Sequence, residues 1–275
     1  LTGSNGKTTS KELIAAVLQQ KFKVHYTFGN LNNHIGVPLT ILGIKDDAEI
    51  AVIEMGANHQ KEIEFLASIA QPDYGYITNF GHAHLEGFGG FEGVIKGKSE
   101  LYDYLRNNSK KVLVNFDDAI QVEQSQNMDQ ITFSKTKTAD YQIELLTSND
   151  ALLKVKFENE EIQSHLTGDY NWSNLAAAIS FGKIFGLTIS DIKTGIENYI
   201  PSNHRSQLIQ KENYTILMDA YNANPSSMEA SLNNFKKLEG TKTVILGDMF
   251  ELGDESHQNH QKIAQLAIDN GMENM

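Results

Sequence analysis

Residues 1–20 read "LTGSNGKTTSKELIAAVLQQ". Gly3 and Gly6 free backbone N–H groups to curl around phosphate oxygens, Lys7 supplies a compensating charge, and Thr8 offers a hydroxyl placed for Mg²⁺. From Lys7 onward, Leu13, Ala16, Val17 and Gln20 recur at intervals of three and four. That period predicts a helix opening at the glycines, where the helix end stabilises anions. The loop is shorter than the common GxxxxGK[ST] pattern, because the residue five before Gly6 is Leu1 and the earlier glycine is Gly3. A plain glycine turn capping a helix is the competing interpretation of the same residues.

Working outward, 275 residues leave room for two domains of about 100 to 200 residues each. Lys and Arg number 23 against 35 Asp and Glu, a net charge of −12 with no basic block. This balance argues against nucleic acid or an anionic membrane as partner, so a polyanionic ligand must be attracted locally. The absence of cysteine rules out a disulfide framework and a thiolate zinc site and fits a cytoplasmic protein. No apolar run approaches the roughly 18 residues of a membrane span. A monomer is expected. The chain opens without Met and without a strand ahead of the glycine loop, which implies a truncated or excised chain.

Strand-like runs "FKVHYTF", "EIAVIEM", "DYGYITNF" and "KKVLVNF" alternate with helical stretches "KEIEFLASIA" and "FEGVIKGKSELYDYL". The rhythm predicts an α/β fold, a P-loop-type, mostly parallel sheet flanked by helices on both faces. From about Gln130 to Thr167, "QITFS", "YQIELLT", "ALLKVKF" and "IQSHLT" predict a small antiparallel sheet attached to the first. Two helices follow, and Pro201 then punctuates the chain. "YTILMDAYNANPSSMEASLNNFKKL" and "KTVILGDMFELG" restart a strand, helix, strand series that stops early, a truncated Rossmann-like α/β domain. The boundary falls near residues 200 to 206, giving a central domain over 1–202 and a partial C-terminal domain over 203–275.

In an open parallel sheet, ligands sit at the carboxyl ends of the strands. Glu54 ends the apolar run "EIAVIEMG" and is followed by Gly56, so it could ligate Mg²⁺ or orient a water rather than merely face solvent. The next strand delivers "GHAHLEGFGG", holding His82, His84 and Glu86, which settle nothing taken alone. Lys98 lies on the following helix, where a solvated charge is the default. "GNLNNHIGVP", residues 29–38, concentrates directed hydrogen bonding with little packing value and reads as a substrate loop.

With these residues in view, the sequence resembles the Mur ligases, ATP-dependent amide-forming enzymes of peptidoglycan synthesis. The likeness runs over nearly all of the chain through "TGSNGKTT", "GNLNNHIGVPLT", "EMGANHQKEI", "TNFGHAHLEGFGGFEGVIKGKSEL", "DAYNANPSSM" and "LGDMFELGDES". It is greatest to the branch joining D-Ala-D-Ala to a UDP-N-acetylmuramoyl-tripeptide. The resemblance implies that Gly3, Asn5, Gly6, Lys7, Thr8 and Thr9 hold ATP phosphates, and that Thr8, Glu54, His84 and Lys98 serve Mg²⁺. Lys7, Glu54, His84 and Lys98 are then the implied catalytic set. Lys98 matches a lysine carbamylated in several members. Asn171 matches an adenine contact, though Tyr170 stands where the family often has His, and Glu86 stands where siblings carry Asp. Arg205 and Asp219 match residues approaching the nucleotide from the second domain. Asn30, Asn32, Asn33 and His34, with Tyr221, Asn222 and Asn224, are the implied substrate contacts. Another amide ligase of the superfamily, such as folylpolyglutamate synthetase, and a non-catalytic nucleotide-binding module are the alternatives.

Overall fold

A computed structural model describes residues 1–146, 152–202 and 205–272. In chain order the elements are α1 (Lys7–Leu18), β1 (Val24–Tyr26), α2 (Gly36–Leu42), β2 (Ile50–Val52), α3 (Glu62–Ala70) and β3 (Tyr74–Tyr76). Then come α4 (Leu85–Phe88), α5 (Phe91–Asn107), β4 (Lys111–Asn115), α6 (Ala119–Gln124), β5 (Asp129–Ser134), β6 (Tyr141–Leu146), β7 (Leu152–Phe157) and β8 (Glu160–Thr167). The series closes with α7 (Trp172–Ile184), α8 (Ile189–Glu197), β9 (Gln207–Gln210), β10 (Thr215–Met218), α9 (Pro225–Lys237) and α10 (Ser256–Asp269). The predicted α/β architecture is present. The ends of "YQIELLT" and "ALLKVKF", and residues 203–204 of the expected boundary, lie outside the described residues.

Strands β1 and β2 pair in parallel, and β3 to β8 form one six-stranded sheet in sequence order. Leu1 and Thr2 join the two. The Leu1 amine donates to Ile53 O at 2.8 Å and Met55 N to Leu1 O at 2.8 Å. On the other flank Thr2 N donates to Tyr76 O at 3.0 Å and Thr78 N to Thr2 O at 2.9 Å. No strand precedes α1, as expected, but Thr2 makes an isolated parallel bridge to Ile77, and the two residues deliver the glycine loop to the carboxyl edge of the sheet.

One correction concerns "QITFS". It forms β5 and pairs in parallel with β4, whereas the antiparallel ladders of this sheet run, among the described residues, from β6 to β7 and from β7 to β8, and β9 pairs antiparallel with β10 in a separate two-stranded sheet. Because β5 also pairs in parallel with β6, the small antiparallel sheet is attached to the main one as expected, and only the placement of "QITFS" differs. A second correction is that "KTVILGDMFELG" contains no named strand. Val244, Met249 and Leu252 are buried with α9 and α10, but Ile245 is 97% exposed, so the run lacks the two-sided cover that a buried strand needs.

Period-two alternation sorts the sheet residues to two faces. Tyr76, Leu113 and Phe133 pack with α1, α7 and α8, while Ile77, Val112 and Val114 pack with α3 and α5. Each fully buried Leu or Ile contributes about 1.5–3 kcal/mol, so these two cores hold the loops at the carboxyl edge in place. A third cluster draws on residues 223 to 272. No helix among the described residues is long and apolar enough to cross a membrane.

Candidate active site

Gly6 is the N-cap of α1, left-handed at φ 78° and without a capping side chain. A Cβ there would stand 2.5 Å from Asn174 Oδ1. The first N–H groups of α1 therefore have neither an intrahelical partner nor a side-chain cap, and they carry the positive end of the helix dipole. The earlier half of the loop is used differently. Ser4 N donates to Asn79 O at 3.1 Å, Asn5 N to Asn79 Oδ1 at 3.0 Å, and Ser4 Oγ to Gly81 O at 2.9 Å. Gly3 is required by packing, since a Cβ would fall 1.9 Å from Thr78 Oγ1 at φ +145°. The anion cradle expected from both glycines thus narrows to the N-terminus of α1.

Lys7 Nζ folds back to donate to Gly3 O at 2.9 Å and Ser4 O at 3.1 Å. Burial pushes its pKa below the usual lysine range; the Glu54 charge opposes that shift and the Arg205 charge adds to it. Glu54, at the end of β2, is 1% exposed. Its Oε1 accepts from Thr8 Oγ1 at 3.2 Å and from Asn32 Nδ2 at 2.7 Å, and its backbone N donates to Thr27 Oγ1 at 2.9 Å. Oε2 is buried without a hydrogen-bond partner.

A buried carboxylate whose Oε1 already meets a threonine hydroxyl fits a hard cation. Among the described residues, no group of three or more His, Cys, Asp and Glu side chains converges as a protein-only metal cage. Mg²⁺ ordinarily keeps waters and phosphate oxygens around one or two carboxylates, so the donor set matches that ion.

The cleft above α1 has a volume of ≈ 970 Å³ and is walled on its far side by residues after Pro201. Asn224 Nδ2 donates to Asn5 Oδ1 at 2.7 Å, and His82 N to Ser226 Oγ at 3.0 Å. The Arg205 guanidinium lies over the Tyr221 ring, 3.7 Å from its centre, with its Nε buried and without a hydrogen-bond partner. Asp219 Oδ1 accepts from Ser206 N at 3.3 Å, and burial raises its carboxyl pKa.

Two family models match the sequence: the Mur ligase middle domain over residues 1–182 and the Mur ligase glutamate ligase domain over residues 204–271.

The chain belongs to the Mur ligase family.

Among relatives of this Mur ligase chain, the UDP-N-acetylmuramoyl-tripeptide–D-alanyl-D-alanine ligase of Bacillus subtilis is 36% identical over 267 residues. That match takes in 95% of this chain but 58% of the relative's length, so the chain spans about three-fifths of it. The crystal structure of MurF from Acinetobacter baumannii superposes with a TM-score of 0.88 at 30% identity, over 100% of this chain and 65% of that one. A Thermotoga maritima MurF ligase solved in complex with ADP superposes with a TM-score of 0.86 at 28% identity, over 97% and 63%.

The Mur ligase cleft gathers Asn5, Gly6, Lys7, Thr8, Thr9, Asn30, Asn32, Asn33, His34, Glu54, His84, Asn171, Arg205, Asp219, Tyr221, Asn222 and Asn224. Gly3 and Lys98 do not line it. Lys98 is buried, donates to Ala57 O at 3.0 Å and lies 4.9 Å over the Phe88 ring. Burial, then the Lys7 charge, hold its pKa well below the usual lysine range.

Several lining side chains are already engaged. Asn33 Oδ1 accepts from Ile35 N at 3.1 Å and Gly36 N at 2.9 Å, so it forms the turn that opens α2. Asn171 Nδ2 donates to Thr167 O at 2.8 Å while its Oδ1 accepts from Asn174 Nδ2 at 2.7 Å. His84, left-handed at φ 56°, caps α4 and pairs through Nδ1 with Glu251; the loop expected around it thus contains a helical turn.

Sequence reasoning missed Lys11, Asn79 and Asn174. Asn174 was findable, because "NWSN" places it three residues after Asn171 on one helical face. Lys11 follows Lys7 by one helical turn, but nothing in "KTTSKE" distinguishes a buried lysine from a solvated one.

Proposed function

We propose that this chain carries the catalytic centre of an ATP-dependent amide ligase that joins D-Ala-D-Ala to UDP-N-acetylmuramoyl-tripeptide. The uncapped start of α1, set against Glu54 and Thr8 in a cleft shared with residues after Pro201, is the observation that carries this reading. The names of the Bacillus and Thermotoga proteins support it. Residues 1–202 form the ATP-binding domain and 203–275 part of a C-terminal domain, a division supported by the separate cluster built after residue 223. The work is placed in the cytoplasm, and the substrates are small molecules.

A carboxylate is a poor electrophile. Transfer of the ATP γ-phosphoryl group to the tripeptide's terminal carboxylate gives an acyl phosphate, and the dipeptide amine displaces phosphate from it. Because charge sits on the transferring oxygens, the protein's task is to position and clamp. The α1 N–H groups and Lys7 hold phosphate oxygens, with Lys7 exchanging its carbonyl partners for them. Arg205, stacked on Tyr221, faces the same charge from the opposite wall. Thr8 and Glu54 would hold Mg²⁺, which neutralises phosphate charge when bound. Asn171 positions the adenine side through its bond to Asn174. His84, paired through Nδ1 with Glu251, would serve the metal site. Lys98, a buried amine whose pKa is lowered first by burial and then by the Lys7 charge, is the candidate for carbamylation, which needs the neutral amine.

Calorimetry with ADP and Mg²⁺ tests the nucleotide site on this chain. Mass analysis of the ATP-dependent product in the full-length enzyme that the proposal implies, with D-Ala-D-Ala and with glutamate, tests the reaction and its acceptor. Saturable ADP binding and a dipeptide adduct are expected; no ADP binding overturns the reading, and a glutamate adduct reassigns the acceptor.

A further inference from the structure

Lys11 is 0% exposed, and burying an ammonium costs several kcal/mol unless it is compensated. Its compensation is specific. Nζ donates to Gly29 O at 3.0 Å, stands 3.8 Å from Glu54 Oε2 and 3.6 Å from Glu12 Oε1, and lies 5.9 Å over the Tyr26 ring. Glu12 in turn accepts from Tyr199 OH at 2.7 Å. Glu54 Oε1 is saturated by Thr8 and Asn32, whereas Oε2 has no hydrogen bond and Lys11 is the cation nearest to it.

Lys11 sits on the same rigid helix as Lys7 and Thr8, one turn further in. Through Gly29 it reaches the loop that carries Asn30, Asn32 and Asn33. We propose that Lys11 is a positioning residue that acts through Glu54: one ammonium fixes both the carboxylate and the base of the substrate loop. The nucleotide end and the acceptor end of the cleft are thereby set by a single helix. The inference rests on the ligase reading above and assigns a residue that reading does not use.

The test is a double-mutant cycle in the full-length protein, with Lys11→Met, Glu54→Gln and the pair, reading kcat for ligation and ADP affinity by calorimetry. Lys11→Met is expected to lower kcat tenfold or more while ADP affinity stays within threefold of the parent. The pair is expected to be no more than threefold below the slower single variant, because the two act as one unit. Losses that multiply, or normal turnover in Lys11→Met, overturn the proposal. Should Lys11→Met fail to fold, the pair, which removes both buried charges, is expected to fold; its failure to fold assigns Lys11 to packing and also overturns it. Absence of ADP binding in the parent protein is a failure of the ligase reading and is thereby distinguished.

Discussion

The hydroxyl of Thr8, on the first turn of α1, donates to the Glu54 carboxylate at 3.2 Å across 46 positions of sequence. Helix and strand end are thus registered to each other by a bond that a divalent ion would share.

Thr8→Val keeps the volume and removes that donor. Leaving a buried acceptor short of a partner costs about 1–3 kcal/mol, so the melting temperature should fall by several degrees. The stronger expectation concerns the ion. ADP titrations with and without Mg²⁺ should differ for the parent chain and converge for the variant.

Lys7→Met should leave thermal stability close to the parent's, because the lysine bonds only to carbonyls of its own loop. It should weaken ADP binding by roughly tenfold to a hundredfold, the worth of a charge-assisted hydrogen bond of about 1.5–3 kcal/mol. Calorimetry of the two proteins checks this, and equal affinities would remove Lys7 from the phosphate site.

The two loop glycines should fail in different ways. Gly6→Ala forces a side chain into the left-handed region, at about 1–2 kcal/mol, and toward Asn174. Gly3→Ala brings its Cβ to 1.9 Å from Thr78 Oγ1 and 3.0 Å from Thr78 N, so the backbone just past β3 must give as well, and the loss of stability should be larger. Denaturant midpoints of the pair rank them.

Asp219 gives a pH signature. Its folded pKa is raised above 3.8 by burial, so relative to the unfolded chain it favours the native state below 3.8 and loses that contribution as pH rises through the folded value. At neutral pH the ionised, buried carboxylate is therefore a burden. Asp219→Asn should melt higher than the parent at pH 7, and the gap should close as pH approaches 4. A gap that widens in acid would reverse the sign.

The single tryptophan, Trp172, is buried in the core that α1, α7 and α8 form against the main sheet and donates to Ile143 O at 3.1 Å. Its fluorescence reports that core alone, whereas circular dichroism also sees α9 and α10. If residues 203–275 have their own core as proposed, the two melting curves should not coincide.

What the sequence made legible was local. The 3.6-residue period after Lys7 and the alternation of apolar strands with amphipathic helices are written in neighbouring residues, and α1 and the α/β layer followed. The partner of β5 is not local: "QITFS" has the same character beside β4 as it would in a hairpin, and only the three-dimensional order decides. Site residues divided similarly. Glu54 was legible as a carboxylate closing an apolar run, but Lys11 looks like surface charge, and Asn33 gave no sign that its amide is consumed by the turn into α2.

The bonds that hold Ser4 and Asn5 to Asn79 mean that one wall of the cleft is shaped before any ligand arrives. Little ordering entropy remains to be lost there on binding. The opposite wall meets it through a set of polar contacts, among them Asn224 to Asn5, Ser226 to His82 and Ser206 to Tyr170. Whatever binds against that first wall meets a shape settled during folding, so its fit is decided before it arrives.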